Sequence, residues 1–130
     1  MNYDYDEGVR LARALVREYA SEEYSAGYIQ RRQRLREAFR NYRTSTSAAR
    51  AYLKRLVELH AEKCRSGSTE SRRRHNTFVL AYITDRKFTP KEIARMQRIS
   101  VRVVWRDLNH VLDVMMIYAF GVFLCHCRRL

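Results

Sequence analysis

Residues 111–124, VLDVMMIYAFGVFL, are apolar on nearly every side of a helix, with Asp113 as the one charged side chain. A helix that is hydrophobic all round must be covered all round. The cover comes either from other helices of the chain, with this one at the centre of the core, or partly from a second copy along a dimer seam. The uninterrupted apolar run, residues 114–125, is 12 residues long, short of the roughly 20 that a membrane-spanning helix needs. A buried helix with no membrane role is the expectation, and the two adjacent methionines suit it as adaptable fillers.

The rest of the chain reads as helices able to provide that cover. One proline and four glycines in 130 residues leave little punctuation for a β protein, and a chain of this length forms one domain rather than two independent ones. Val9, Leu11, Ala12, Leu15, Val16 and Tyr19 recur at helical spacing and predict a helix over 7–20. A second is expected from Ser21 to about Tyr42, with Tyr24, Tyr28, Ile29, Leu35, Ala38, Phe39 and Tyr42 on its apolar side. Its other side carries Arg31, Arg32, Arg34, Arg36, Arg40 and Arg43, either a solvated face or a phosphate-facing one. After the break TSTS (44–47), a third helix runs to Cys64, with Ala48, Ala51, Tyr52, Leu53, Leu56, Val57 and Leu59 inside. RSGSTE ends it, and Gly67 suits the left-handed position after a helix. A fourth helix over about 70–85 buries Phe78, Val79, Tyr82 and Ile83. It starts with Arg72, Arg73, Arg74 and His75, either a phosphate clamp or just a charged first turn; basic residues oppose the helix dipole there, which tilts towards the clamp. The fold class is thus all-α: an N-terminal helical region (1–65) and a C-terminal module with its closing apolar helix (66–130), compact as one domain.

Charge narrows the partner. Lys and Arg total 26 against 14 acids, and 22 of the 26 are arginine. Residues 1–24 hold three arginines and six acids, while residues 25–130 hold 23 basic and eight acidic residues. A basic body fits a polyanionic partner, and arginine in particular makes forked contacts to phosphate and to guanine. Three cysteines make no even disulfide framework and no signal peptide opens the chain, so a reduced, cytoplasmic setting is expected.

The stretch KFTPKEIARMQRISVRVVWRDLNHVL, residues 87–112, concentrates these features. Thr89 can cap a helix, Pro90 fits its first position, and Glu92 completes a capping box three residues after the cap. Ser100 then caps a second helix. Ile93, Ala94, Ile99, Val104 and Leu108 are the positions that meet where the two helices cross, and small Ala94 permits a close approach. At 100° per residue, centring the buried face on Val104 turns Arg102, Arg106 and Asn109 outward, with Trp105 on one flank and Val103 on the other. Arg86, Lys87, Lys91, Arg95 and Arg98 extend the positive surface.

Within this stretch, IARMQRISVRVVWRDLN resembles the helix-turn-helix pattern I-A-x-x-L-G-I-S-x-R-T-V-x-R-D-L-N of bacterial and phage transcription regulators, matching at Ile93, Ala94, Ile99, Ser100, Arg102, Val104, Arg106, Asp107, Leu108 and Asn109. With HVLDVMMIYAFGV after it, the segment is similar to phage-encoded regulators of the ArpU type, related to sigma-factor region 4. The resemblance covers about residues 88–122. It implies an all-helical module whose second helix, about 101–110, enters the major groove of duplex DNA, in a protein controlling phage or mobile-element genes. The residues it points to for DNA contact are Lys87, Lys91, Arg95, Arg98, Ser100, Arg102, Val103, Trp105, Arg106 and Asn109. RNA polymerase and a second copy of the chain are further candidate partners. Three positions depart from the pattern: Arg98 stands for the turn glycine, Gln97 for the leucine before it and Val103 for threonine. A non-glycine residue in a left-handed turn costs roughly 1 kcal/mol.

Two other chemistries have residues to draw on. His60 and Cys64 are four apart on one helix and Cys125-His126-Cys127 lies near the C-terminus, a set with zinc-ligand chemistry but no known finger spacing; no metal or other cofactor is expected. Neither a phosphate-cradling glycine loop nor a nucleophile motif is present, so an enzyme is not expected; Asp107 is expected to pair with Arg106 or with a residue of the preceding helix. The alternative to DNA reading is a protein-interaction module that binds RNA polymerase or inhibits a host nucleic-acid enzyme through its basic helices, with 22–43 as the working surface. Binding of structured RNA rests on composition alone.

Overall fold

The computed structural model describes residues 9–10 and 22–129, with side chains at 9–10 and 27–120. The expected helix over 7–20 lies outside the described residues apart from Val9 and Arg10. Five helices follow: α1 (Glu22–Arg40), α2 (Ser47–Arg65), α3 (Thr69–Tyr82), α4 (Pro90–Gln97) and α5 (Val101–Arg129), with a 3-10 turn at Tyr42–Thr44 between the first two. Among the described residues there is no strand, and no helix is long and apolar enough to cross a membrane.

The polar residues between helices set their ends. Thr46 caps α2 and Ser68 caps α3, each side chain accepting a backbone N–H three residues on. Thr89 and Glu92 form the reciprocal capping box at α4, with Pro90 at its first position. Gly67 is not left-handed as expected: no described glycine has a positive φ. Ser66 ends α2 at φ −95° and ψ 4°. The glycine answers a steric need instead, since a Cβ there would stand 3.2 Å from the Ser71 Cβ.

The long helix α5 is the centre, packed by each of the other four. Val104, Val111, Val114 and Met115 are buried on it, together with Leu108, Leu112 and Met116. The two segments expected as a reading helix and a separate closing helix are one continuous helix. Opposite α5, Phe39 of α1 meets Phe78 of α3 edge-on at 4.8 Å, and Phe78 meets Tyr82 at 4.9 Å. Ile29 and Tyr52, expected inside, are exposed.

Two aspartates interrupt the apolar surface of α5, and each is met by an arginine from another helix. Asp107, 1% exposed, accepts a two-pronged pair of bonds from Arg73 of α3, Nε at 3.1 Å and Nη2 at 2.9 Å. That partner is neither Arg106 nor a residue of α4, the expected choices. The Thr77 hydroxyl lies 3.3 Å from the same carboxylate and accepts from the Gln97 side chain. Gln97, which replaces the leucine of the pattern, therefore joins α4 to a polar network shared by α3 and α5. Asp113 accepts from Arg32 Nε of α1 at 2.9 Å and from the Tyr28 hydroxyl at 3.4 Å. Arg73→Met, leaving the buried Asp107 without its fork, should lower unfolding free energy by about 3 kcal/mol. Arg73→Met with Asp107→Leu should recover most of it, as read from urea midpoints.

Candidate functional site

The turn between α4 and α5 is built by Arg98 and Ser100. Arg98 sits in the left-handed region at φ 56° and ψ 47°, the single positive φ among the described non-glycine residues. Its N–H donates to the Ala94 carbonyl and that of Ile99 follows to the same oxygen at 3.0 Å, closing α4. Ser100 then caps α5, its hydroxyl accepting the Val103 N–H at 3.2 Å. Ile93, Ala94, Val104 and Leu108 are buried at the crossing and Ile99 is half-buried, so the two helices cross on the side expected.

The outer side of this pair is basic. Lys91, Arg95, Arg98, Arg102 and Arg106 are exposed, and Lys87 is exposed just before α4. Lys91, Arg95 and Arg98 follow one another at helical spacing, as do Arg102 and Arg106. Neither acid in the stretch competes for that surface. Glu92 is taken up by the Thr89 cap and by Arg86, and these hold its carboxyl below the usual carboxylate range. Asp107 is buried under Arg73. Trp105, 50% exposed, stands among the arginines, with Met96 and Val101 also exposed. Val103 is half-buried.

Asn109 is exposed as expected, and it also has partners within the bundle. Its side-chain oxygen already accepts from Arg32 at 3.2 Å and from Arg36 at 3.0 Å, both on α1. Arg36, Phe39 and Arg40 of α1 line a shallow groove with Trp105, Leu108 and Asn109. One flank of the outward face of α5 is therefore formed by α1, a neighbour that the short motif does not reveal.

The other basic clusters are largely structural. On α1, Arg32 goes to Asp113, and the Arg31 guanidinium stacks over Phe120 at 5.6 Å. Arg43, in the 3-10 turn, donates to the carbonyls of Ala81, Thr84 and Arg86, capping the C-terminal end of α3 with a cation. Arg34 and Arg40 stay exposed. In the basic start of α3, Arg73 holds Asp107 and Arg74 pairs with Glu70 at 2.7 Å, while Arg72 is exposed.

A second cluster lies between α2 and α3. His60 and Cys64 face His75, with Nδ1 of the two imidazoles 2.8 Å apart and the Cys64 sulfur 3.5 Å from His60 Nε2. His75 is the member that sequence spacing did not pair with them. The side chains at 125–127, expected as possible co-ligands, lie outside the described residues. Burial, with His75 and His110 nearby, pushes the His60 pKa down to about 3. Burial also lowers that of His75 and raises that of the Cys64 thiol, against the charge of Arg74.

Two outcomes follow. Arg98→Gly relieves the left-handed strain and should raise stability by up to about 1 kcal/mol in denaturant unfolding. His60, neutral when folded but with an ordinary pKa near 6.5 when unfolded, withholds a proton that the unfolded chain binds. Metal-free protein should therefore lose stability as pH falls below about 6.5, by at most about 1.4 kcal/mol per pH unit from this group. Equal urea midpoints at pH 7 and pH 5 would show that His60 takes up a proton without unfolding the chain. Comparison with protein-family models, curated proteins and solved structures found no match to this chain.

Proposed function

We propose that this protein binds duplex DNA as a sequence-reading regulator of the helix-turn-helix class, through α4 and the first turns of α5. One observation carries the reading: the exposed surface of residues 90–109 holds five basic side chains, while of its two acids Asp107 is buried under Arg73 and Glu92 is held at the surface by its own helix cap and by Arg86. In this reading α5 enters the major groove with Arg102 and Arg106 on base edges, where a forked guanidinium matches guanine O6 and N7. Trp105 and Val103 flank them with apolar surface. Lys87, Lys91, Arg95 and Arg98 neutralise phosphates, and Ser100 holds the end of the reading helix. Asn109 positions Arg36 rather than reading a base. The motif residues give the reading its phage or mobile-element setting, and make RNA polymerase and a second copy on a paired half-site the further partners.

The test is fluorescence anisotropy over a salt series, with selection from a randomised duplex library. Binding should recover a motif and weaken steeply with salt. Arg102→Ala should cost about 1–3 kcal/mol and relax preference at one position, whereas Lys91→Ala should weaken all sequences alike and reduce the salt slope by about 1. Uniform effects from both variants would remove the base-reading role.

A second reading has its own observation. Trp105 stands exposed beside Arg102 and Arg106, with Met96 and Val101 exposed nearby, and tryptophan with arginine is the composition of protein-binding hot spots. The surface for such a partner is the face of α5, because Arg32 and Arg43 of the basic 22–43 segment are engaged internally. Weak, motif-free DNA binding together with RNA polymerase capture that Trp105→Ala abolishes would favour it.

A further inference from the structure

We propose that His60, Cys64 and His75 form a binding site for a divalent transition metal of the zinc class, clamping α2 to α3. Cys64 lies one helical turn after His60 on α2, which puts the sulfur and the imidazole on one face. The hairpin at Gly67 brings α3 back so that His75 meets them. One ligand atom from each of the three lies within 4.8 Å of the others. In a tetrahedral zinc site, with bonds of about 2.0 Å to nitrogen and 2.3 Å to sulfur, ligand atoms stand roughly 3.3–3.6 Å apart. Taken through His60 Nδ1, the Cys64 sulfur stands 3.9 Å away and His75 Nδ1 2.8 Å away, so the sulfur must close slightly and the imidazoles open slightly to reach that range.

The donor set suits a borderline-soft ion: two imidazole nitrogens and one thiolate. Two of the three groups are buried and His75 is half-buried, so the site is sheltered but reachable from one side. The cluster supplies three ligands, and water would complete a tetrahedral set. The charge of Arg74, itself paired with Glu70, favours the Cys64 thiolate. On coordination the metal–sulfur bond forms as the thiol proton leaves to solvent, while the imidazoles bind neutral. No redox change is involved. The rival account is a hydrogen-bonded imidazole pair beside a buried thiol, which takes up no ion.

The experiment is a Co2+ titration of the reduced, metal-free full chain carrying Cys125→Ser and Cys127→Ser, in which Cys64 is the sole thiol. The expected result is a thiolate-to-cobalt charge-transfer band saturating at one ion per chain and displaced by Zn2+, with thermal unfolding moved upward by Zn2+. His75→Gln in the same background should lose the band while keeping its helical circular dichroism. No band in the folded single-thiol chain overturns the proposal, even if Cys64→Ser cannot fold. A band in the wild type that vanishes with Cys125 and Cys127 overturns it equally, because the ion then belongs to the C-terminal segment. None of these readouts depends on DNA binding.

Discussion

The arrangement of this molecule depends on the carboxylate of Asp107, buried on the central helix. A charge taken out of water persists only when paired and hydrogen-bonded, and here Arg73 supplies a fork while Thr77 adds a hydroxyl. Gln97 bonds to that hydroxyl from the end of α4. Three helices thereby share one polar network directly beneath the turn at Arg98. The network does more than hold them together. It withdraws the one acid of the first turns of α5 from the surface, so that Arg102 and Arg106 look outward without a competing carboxylate.

Asp113, about two turns further along α5, repeats the device with α1. Arg32 and Tyr28 reach it, and Arg32 continues with Arg36 to Asn109. The first described helix is thus fastened along the same side of α5 that carries Trp105. Arg43 fastens the next segment by gathering the carbonyls at the end of α3. Many of the arginines that give this chain its charge of +12 therefore work as long-armed donors inside the bundle. The positive surface open to a partner is narrower than composition suggests; α4, the turn and the start of α5 carry one run of it, and Arg50, Lys54, Arg55, Lys63 and Arg65 of α2 another.

The metal site proposed at His60, Cys64 and His75 would add a further fastening. His75 lies two residues from Arg73, so an ion between α2 and α3 would brace the helix that neutralises Asp107. Stability of the bundle and presentation of the basic face would then respond to the same ion, through α3.

Much of the helical framework was legible because its signals are local. Thr89, Pro90 and Glu92 announce the start of α4, and Ser100 that of α5; Ile93, Ala94, Val104 and Leu108 mark the crossing. Each acts through hydrogen bonds or periodicity within a few residues, and the sequence alone determined them, down to the left-handed backbone of Arg98. Gly67 was misread because its reason is an approach by Ser71 rather than its own φ. The partners of the long polar side chains were decided only by tertiary structure. Arg73 reaches Asp107 across 34 positions, Arg32 reaches Asp113 across 81, and His75 meets His60 across 15. An arginine with several carboxylates and carbonyls in reach carries no local signal for which it will take; the packing of apolar helices around α5 makes that choice.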